Sequence, residues 1–169
     1  KMAINSKLNN DVWIESIELS KQEFHARFSA KNRKYKYLII KNFSPFKRDY
    51  AWHMKWDLDM RLLNQCAEQI IGQHDFSSFC KSTSEVKNKI CNIKISKWEI
   101  NNNGMIYFIS SNRFLQHMVR YLVGTMIEVA RGRFQFMDFV KLINNEADHS
   151  LSVVRAPAKG LYLKKVYYD

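Results

Sequence analysis

A chain of 169 residues, 46% apolar and 25% charged, suffices for one domain that buries roughly 70% of its unfolded surface without staples. That composition excludes a disordered or membrane-embedded chain. No apolar run reaches the ~18–20 residues of a spanning helix, and the richest, Tyr121 to Ala130, is broken by Gly124, Thr125 and Glu128. The first residues, Lys1 to Lys7, lack the long apolar core of a signal peptide. Three cysteines, Cys66, Cys80 and Cys91, contain no CxxC pair, which points to reduced thiols in a cytoplasmic protein rather than a disulfide frame or zinc site. Lys plus Arg total 27 against 16 Asp plus Glu, a net charge of +11. Such a balance favours a polyanionic partner, nucleic acid first, because each neutralised phosphate releases counterions. The competing explanation is a lysine-rich surface that merely solubilises.

No repeat, low-complexity tract or Pro/Gly-rich linker divides the chain, so a single domain over residues 1–169 is expected. Val12 to Leu19 alternates imperfectly and predicts a strand. Phe24 to Lys41 is the longest strand-like region, with Tyr35, Tyr37 and Ile39 on one face and Lys34, Lys36, Leu38 and Ile40 on the other. Asp57 or Asp59 can cap a helix whose apolar pairs recur at Leu62/Leu63, Cys66/Ala67 and Ile70/Ile71, with Gly72 ending it. Cys91 to Ile100 reads as a strand whose phase slips by Trp98, as at a bulge. Asn101 to Gly104 is a hairpin turn, and Met105 to Ser110 is the return strand.

Leu115, Val119, Leu122, Met126 and Ala130 outline a long helix ending at Gly132. Phe136, Phe139, Val140 and Ile143 outline a second, stopped by Asn144-Asn145. Leu151 to Gly160 reads as loop and Leu161 to Tyr168 as the last strand. The order predicts an α+β fold of split βαβ, ferredoxin-like type, with helices on one face of a mostly antiparallel sheet. The other face stays available for a partner, as in many RNA-binding folds.

The chemistry-bearing residues are sparse. Five scattered histidines form no HxH or HxxxH pair, so no metal site is expected. No nucleophile elbow, phosphate-binding glycine loop or dinucleotide fingerprint occurs. Among eight aspartates, Asp57 and Asp59 suit caps, Asp75 suits the turn after it, and Asp49, Asp148 and Asp169 suit solvated positions. No paired-carboxylate constellation emerges.

Four collinear segments carry a resemblance. Phe24-His25-Ala26-Arg27-Phe28-Ser29-Ala30, continuing through Arg33-Lys34-Tyr35-Lys36-Tyr37, resembles the FHARFSA…RxYxY segment of the tRNA pseudouridine synthase A family. Gly72 to Phe79 resembles its GxHDFxSF segment, Phe114 to Gly124 its FxxHMVRxxVG helix, and Ala156 to Leu163 its APAxGLYL tail. Ile4-Asn5 to Val12 resembles its LNxxLPxDI opening, with Asn9 where proline is usual. The resemblance spans nearly the whole chain.

It implies a pseudouridine synthase fold and isomerisation of uridine to pseudouridine at positions 38 to 40 of the tRNA anticodon stem-loop. The glycosidic bond breaks, the base turns and rejoins through carbon, with no cofactor and no metal. A stacked base must first leave the helix for a pocket that replaces its lost stacking. By the same resemblance Tyr35 lies against the flipped uracil, able to stack and to hydrogen-bond. Arg120 pairs with and positions the catalytic aspartate, keeping it ionised. Leu161 and Leu163 line the substrate, or belong simply to the core.

Arg27, Arg33, Lys34, Lys36, Arg113 and His117 are the RNA-binding candidates. Strand alternation places Lys34 and Lys36 opposite Tyr35, suiting them to a neighbouring surface. A glycine inside a helix costs about 0.5–1 kcal/mol, so Gly124, one turn after Arg120, implies a close approach there.

The family's nucleophile lies in a segment resembling RTDxGVHA, and none of the eight aspartates sits in that context. The chain is therefore expected to be the C-terminal, catalytic-core half of a longer enzyme, inactive without that aspartate and prone to self-association as a homodimer. A membrane partner is not expected. Two other readings stay open: an RNA-binding module without catalytic activity, and a scaffold domain with incidental charge.

Overall fold

The computed structural model describes residues 1–81 and 86–168; the expectation for Asp169 lies outside them. A helical turn, α1 (Met2–Asn5), precedes an extended stretch. The strand expected over Val12 to Leu19 does not form. Extended backbone becomes a strand only where a ladder accepts its N–H and C=O groups. Here the Asn5 side chain instead pairs with both backbone groups of Ile14, at 2.9 and 3.0 Å. Residues 24–31 also leave the expected strand. They coil around His25, whose Nδ1 accepts from the Arg27 and Phe28 amides while its own N–H donates to Ser29 Oγ.

β1 (Asn32–Ile40) follows and is the axis of the sheet. A two-residue strand, β2 (Trp52–His53), runs parallel to its end. Helix α2 (Met60–Gln69) starts at Asp59, whose carboxylate accepts from the Arg61 and Leu62 amides. Asp57 is instead an exposed partner of Lys41 at 2.7 Å. Gly72 does not close the helix, which already ends at Gln69; it opens β3 (Gly72–Asp75). Gly-Gln-His-Asp has no apolar alternation, so that strand leaves no sequence signal. Asp75 then caps the next turn, accepting from the Ser77 amide at 2.8 Å.

β4 (Ile90–Asn101) and β5 (Gly104–Ser111) form the expected hairpin. The register shift falls between Ile93 and Ile95, earlier than the phase change near Trp98 suggested. Helix α3 (Met118–Ala130) begins three residues later than the apolar period, because His117 holds a left-handed backbone at its N-cap. Helix α4 (Phe136–Ile143) carries a reciprocal Gln135–Asp138 capping box. β6 (Leu161–Tyr167) returns antiparallel to β1.

The strands order as β3-β4-β5-β1, with β6 and β2 sharing the outer side of β1. Leaving out the short β2 and β3, the pattern is the split βαβ arrangement the element order predicts. One sheet face, including Tyr37, Ile39, Ile93, Trp98, Tyr107 and Ile109, is buried in one core with Leu63 and Cys66 of α2, Leu122 and Met126 of α3 and Phe139 of α4. Within that core Ser96 and Tyr107 share a hydroxyl hydrogen bond of 2.7 Å, satisfying both buried groups. Among the described residues no helix is long and apolar enough to cross a membrane.

Candidate active site

The helix-side face of β1 presents Arg33, Tyr35 and Tyr37 in succession, each two residues from the next. Tyr37 is fully buried, and its hydroxyl donates to the Pro157 carbonyl at 2.7 Å. On the opposite side, residues 154–156 are stitched to α3. Arg120 Nε donates to the Ala156 carbonyl at 2.7 Å, the Ala156 amide returns a bond to the Arg120 carbonyl at 3.0 Å, and the Val154 amide donates to Thr125 Oγ1 at 3.1 Å. This segment therefore joins α3 to β1 and fixes Arg120 relative to the tyrosine row.

The approach requires Gly124. A Cβ there would lie 2.1 Å from the Val154 carbonyl oxygen and 2.8 Å from the Ala156 amide nitrogen. Gly160 plays the same part at the far end of the segment, where a Cβ would meet the Tyr37 ring at 2.6 Å. The helical glycine singled out in the sequence thus marks a real close contact.

Tyr35 is half-buried. Its ring meets Phe114 edge to face, with centroids 5.1 Å apart. Directly across the ladders stand Ile109 of β5 and Leu163 of β6, while Leu161 stands across from Tyr37. Leu163 is 54% exposed, so the wall beside Tyr35 is apolar yet open. Burial pushes the Tyr35 phenol above its ordinary value, and the Arg33 guanidinium pulls it partly back. At neutral pH the hydroxyl is therefore a donor as well as an acceptor.

Cations gather at the start of α3. Burial is the largest cause that lowers the His117 pKa below its ordinary 6.5, followed by the charges of Arg120, Arg155 and Lys81. These four groups therefore share one neighbourhood at the N-terminus of α3, where backbone amides also favour anions. The Lys81 amide reaches the Gln116 carbonyl at 3.3 Å, tying the second residue after the turn at Ser77–Phe79 to the same loop. Arg33 donates to the Ala30 carbonyl at 2.8 Å, to the Asn112 carbonyl at 2.5 Å and to the Arg27 carbonyl, closing the adjoining corner.

Among the described residues no carboxylate pairs with Arg120; the ion pairs lie elsewhere. No trio of His, Cys, Asp or Glu there could hold a metal ion. The cysteines are buried. Burial, the largest cause in each case, pushes the Cys66 thiol up to about 12 and the Cys91 thiol up to about 11, while Arg113 beside Cys91 pulls the latter down. Neither is a thiolate nucleophile at neutral pH.

The predicted residues fall in two groups. Tyr35 lies beside Arg33, Phe114 and Leu163. Arg120 lies with His117 at the start of α3, and also near Tyr37, the partner of Leu161. Residues 154–157 link the two groups, which together make the candidate cleft. Arg113 lies toward Cys91. Arg27 sits in the preceding coil, its guanidinium 5.5 Å from the Phe28 ring centroid. Lys34 and Lys36 stand on the opposite sheet face, against Phe108 and Tyr162. Sequence reading missed Phe114, Lys81 and Arg155. Phe114 was visible as the first residue of the FxxHMVR match. The two cations lie in loops, where no periodicity announces which way a side chain turns.

Comparison with known proteins identifies the class of catalyst to which this chain belongs. A family described as tRNA pseudouridine synthase matches residues 66–169. The chain is 38% identical over 169 residues to tRNA pseudouridine synthase A of Bacillus licheniformis, covering 99% of this chain and 68% of that protein. It is 36% identical over the same span to the protein of that name from Bacillus subtilis, and 34% identical over 171 residues to that from a Geobacillus strain. The chain belongs to the tRNA pseudouridine synthase family, a family of isomerases.

Proposed function

We propose that this chain supplies the uracil-holding wall and the cationic anchor of a tRNA pseudouridine synthase that acts on uridines 38 to 40 of the anticodon stem-loop. Tyr35 and Phe114 receive the flipped base: the ring offers a stacking surface and the neutral phenol a hydrogen bond. Leu161 and Leu163 exclude water along the same wall. Arg120 holds the nucleophilic aspartate ionised and aimed, through a bidentate grip for which a guanidinium is suited. Arg33, His117, Arg155 and Lys81 take the backbone phosphates flanking the target. The reaction breaks one C–N bond and makes one C–C bond within the same nucleotide, so atoms balance without a cofactor.

The observation that carries this reading is the clasp of Arg120. Its Nε is committed to Ala156, while among the described residues the rest of its guanidinium meets no acid. Such a cation, fixed in place beside an open wall, is a receptor for a carboxylate or phosphate. A merely solvated surface arginine would not be held by bonds running both to and from Ala156. We infer that the 169-residue chain by itself binds tRNA and does not turn it over, and that it works as one folded unit, in the cytoplasm, as a homodimer.

Incubation with unmodified tRNA transcript, read by mass spectrometry after carbodiimide blocking, should return no pseudouridine. Turnover by this chain alone would refute the assignment of the carboxylate elsewhere. Within a turnover-competent polypeptide containing these residues, Arg120→Ala and Tyr35→Ala should each lower kcat by about a thousandfold or more. Salt-sensitive tRNA binding should change by about threefold or less. Matching losses in rate and affinity would make both residues docking groups.

A further inference from the structure

The sheet face turned away from the helices is left unused by the cleft. Direct pairing sets Tyr162, Lys36, Phe108 and Lys97 in one row across β6, β1, β5 and β4. The next row holds Lys165, Lys34, Ser110 and Ile95. At this second row two ladders slip. β6 has one extra residue between the partners of Lys34 and Tyr35, and β4 has one extra between the partners of Ser111 and Ser110. The extra residues are Lys164 and Lys94.

A bulge re-aims the side chain it ejects from the ladder, and both lysines turn toward Lys34. The ammoniums of Lys164 and Lys34 lie 5.4 and 5.7 Å from the centroid of the same Phe108 ring. Lys34 and Lys94, with Lys31, Asn32 and Ser110, line a depression of about 210 Å³. Among the described residues none of Lys31, Lys34, Lys94 and Lys164 forms an ion pair, and Glu99 on the adjoining part of β4 is held by Lys97 at 2.5 Å. Cations gathered this closely repel until an anion enters.

We propose that this bulge-built lysine cluster on the open sheet face is a second RNA site, which takes the phosphodiester backbone of the tRNA at a segment other than the one in the cleft. The proposal rests on tRNA as the substrate, and it adds a surface that the cleft residues do not reach. The partly exposed rings of Phe108 and Tyr162 give the lysines apolar support without offering hydrogen bonds to base edges, so contact here positions rather than specifies. A second copy is a poorer occupant. Two-fold pairing of this face would set the same unpaired lysines against one another.

The test is the salt dependence of binding between the 169-residue chain and an unmodified tRNA transcript, followed by fluorescence anisotropy across KCl concentrations. Lys34→Gln/Lys94→Gln/Lys164→Gln should make the slope of log K against log salt shallower by about 2–3, from about 0.9 per duplex phosphate lost. At 0.1 M KCl its Kd should rise at least about tenfold. The matching triple arginine variant should keep both. Should the triple glutamine variant melt early, Lys164→Gln alone should still remove about one unit of slope.

An unchanged slope in a folded variant overturns the proposal. So does a change confined to sedimentation, with tRNA binding intact, since that would make a second copy the occupant. Turnover of Arg120→Ala in the turnover-competent polypeptide reports on the cleft separately, so failure there leaves the slope result readable.

Discussion

His117 shows how a single residue can report on the cleft. It sits in the left-handed region at the start of α3, half-exposed, with Arg120, Arg155 and Lys81 around it. Burial and these cations disfavour its protonated form, so the folded chain binds a proton less readily than the unfolded one. Stability linked to His117 is therefore present above its ordinary value of 6.5 and is lost as pH falls through that value toward the lower folded one. His117→Gln should flatten the decline in melting temperature between neutral and mildly acidic pH. Phosphates entering the cluster would reverse the balance, because an anion favours the imidazolium. An NMR titration should accordingly place the His117 midpoint below 6.5 in the free chain and higher in the tRNA complex. A midpoint that stays fixed on binding would remove His117 from the phosphate contacts.

Between helix α3 and strand β1, the decisive piece is an irregular one. Residues 154–157 have no regular structure, yet they make three bonds to α3 and one to Tyr37. Gly124→Ala would force a methyl to within 2.1 Å of the Val154 carbonyl, so segment and helix would have to part. We expect a loss of about 3 kcal/mol in urea denaturation, at the upper end of overpacking costs. Loss of the Arg120–Ala156 bonds should accompany it, so that tRNA turnover in a competent polypeptide falls further than stability alone explains. A variant as stable as the parent would show that the segment yields freely.

The same elements explain what the sequence could disclose. Periodicity fixed α2, α3, α4 and the β4–β5 hairpin, because their apolar faces are buried in one core. Gly124 disclosed a close contact because a helix rarely tolerates glycine without cause. Val12 to Leu19 misled, since alternation records a pleated surface but not whether a neighbouring strand exists to pair with it. β3 stayed hidden because its four residues are held by the β4 edge and not by their own pattern. Arg120 and Tyr35 were readable through motif resemblance alone; nothing in spacing distinguishes them from solvated or packed neighbours. The cluster of Lys34, Lys94 and Lys164 was unreadable for a further reason. Two bulges in strands remote in sequence produce it, and each bulge shifts a side chain by a register that only pairing determines.

Taken together, the described residues form one core, and the three thiols sample it from three sides. Cys66 belongs to α2, Cys91 to β4, and Cys80 follows the turn that packs on α3 and α4. Burial holds Cys66 and Cys91 almost wholly protonated at neutral pH. An aromatic disulfide reagent needs both access and a thiolate, so the folded chain should label slowly at all three positions. If the chain is one cooperative unit, label should enter only through global opening, and all three cysteines should react with a common rate that rises with urea in parallel. Mass spectrometry of partly labelled samples should then find chains with no label or three, and few between. A long-lived species modified at Cys66 alone would instead mean that α2 opens while the sheet persists, and the chain would divide into two folding units along the α2–β4 contact.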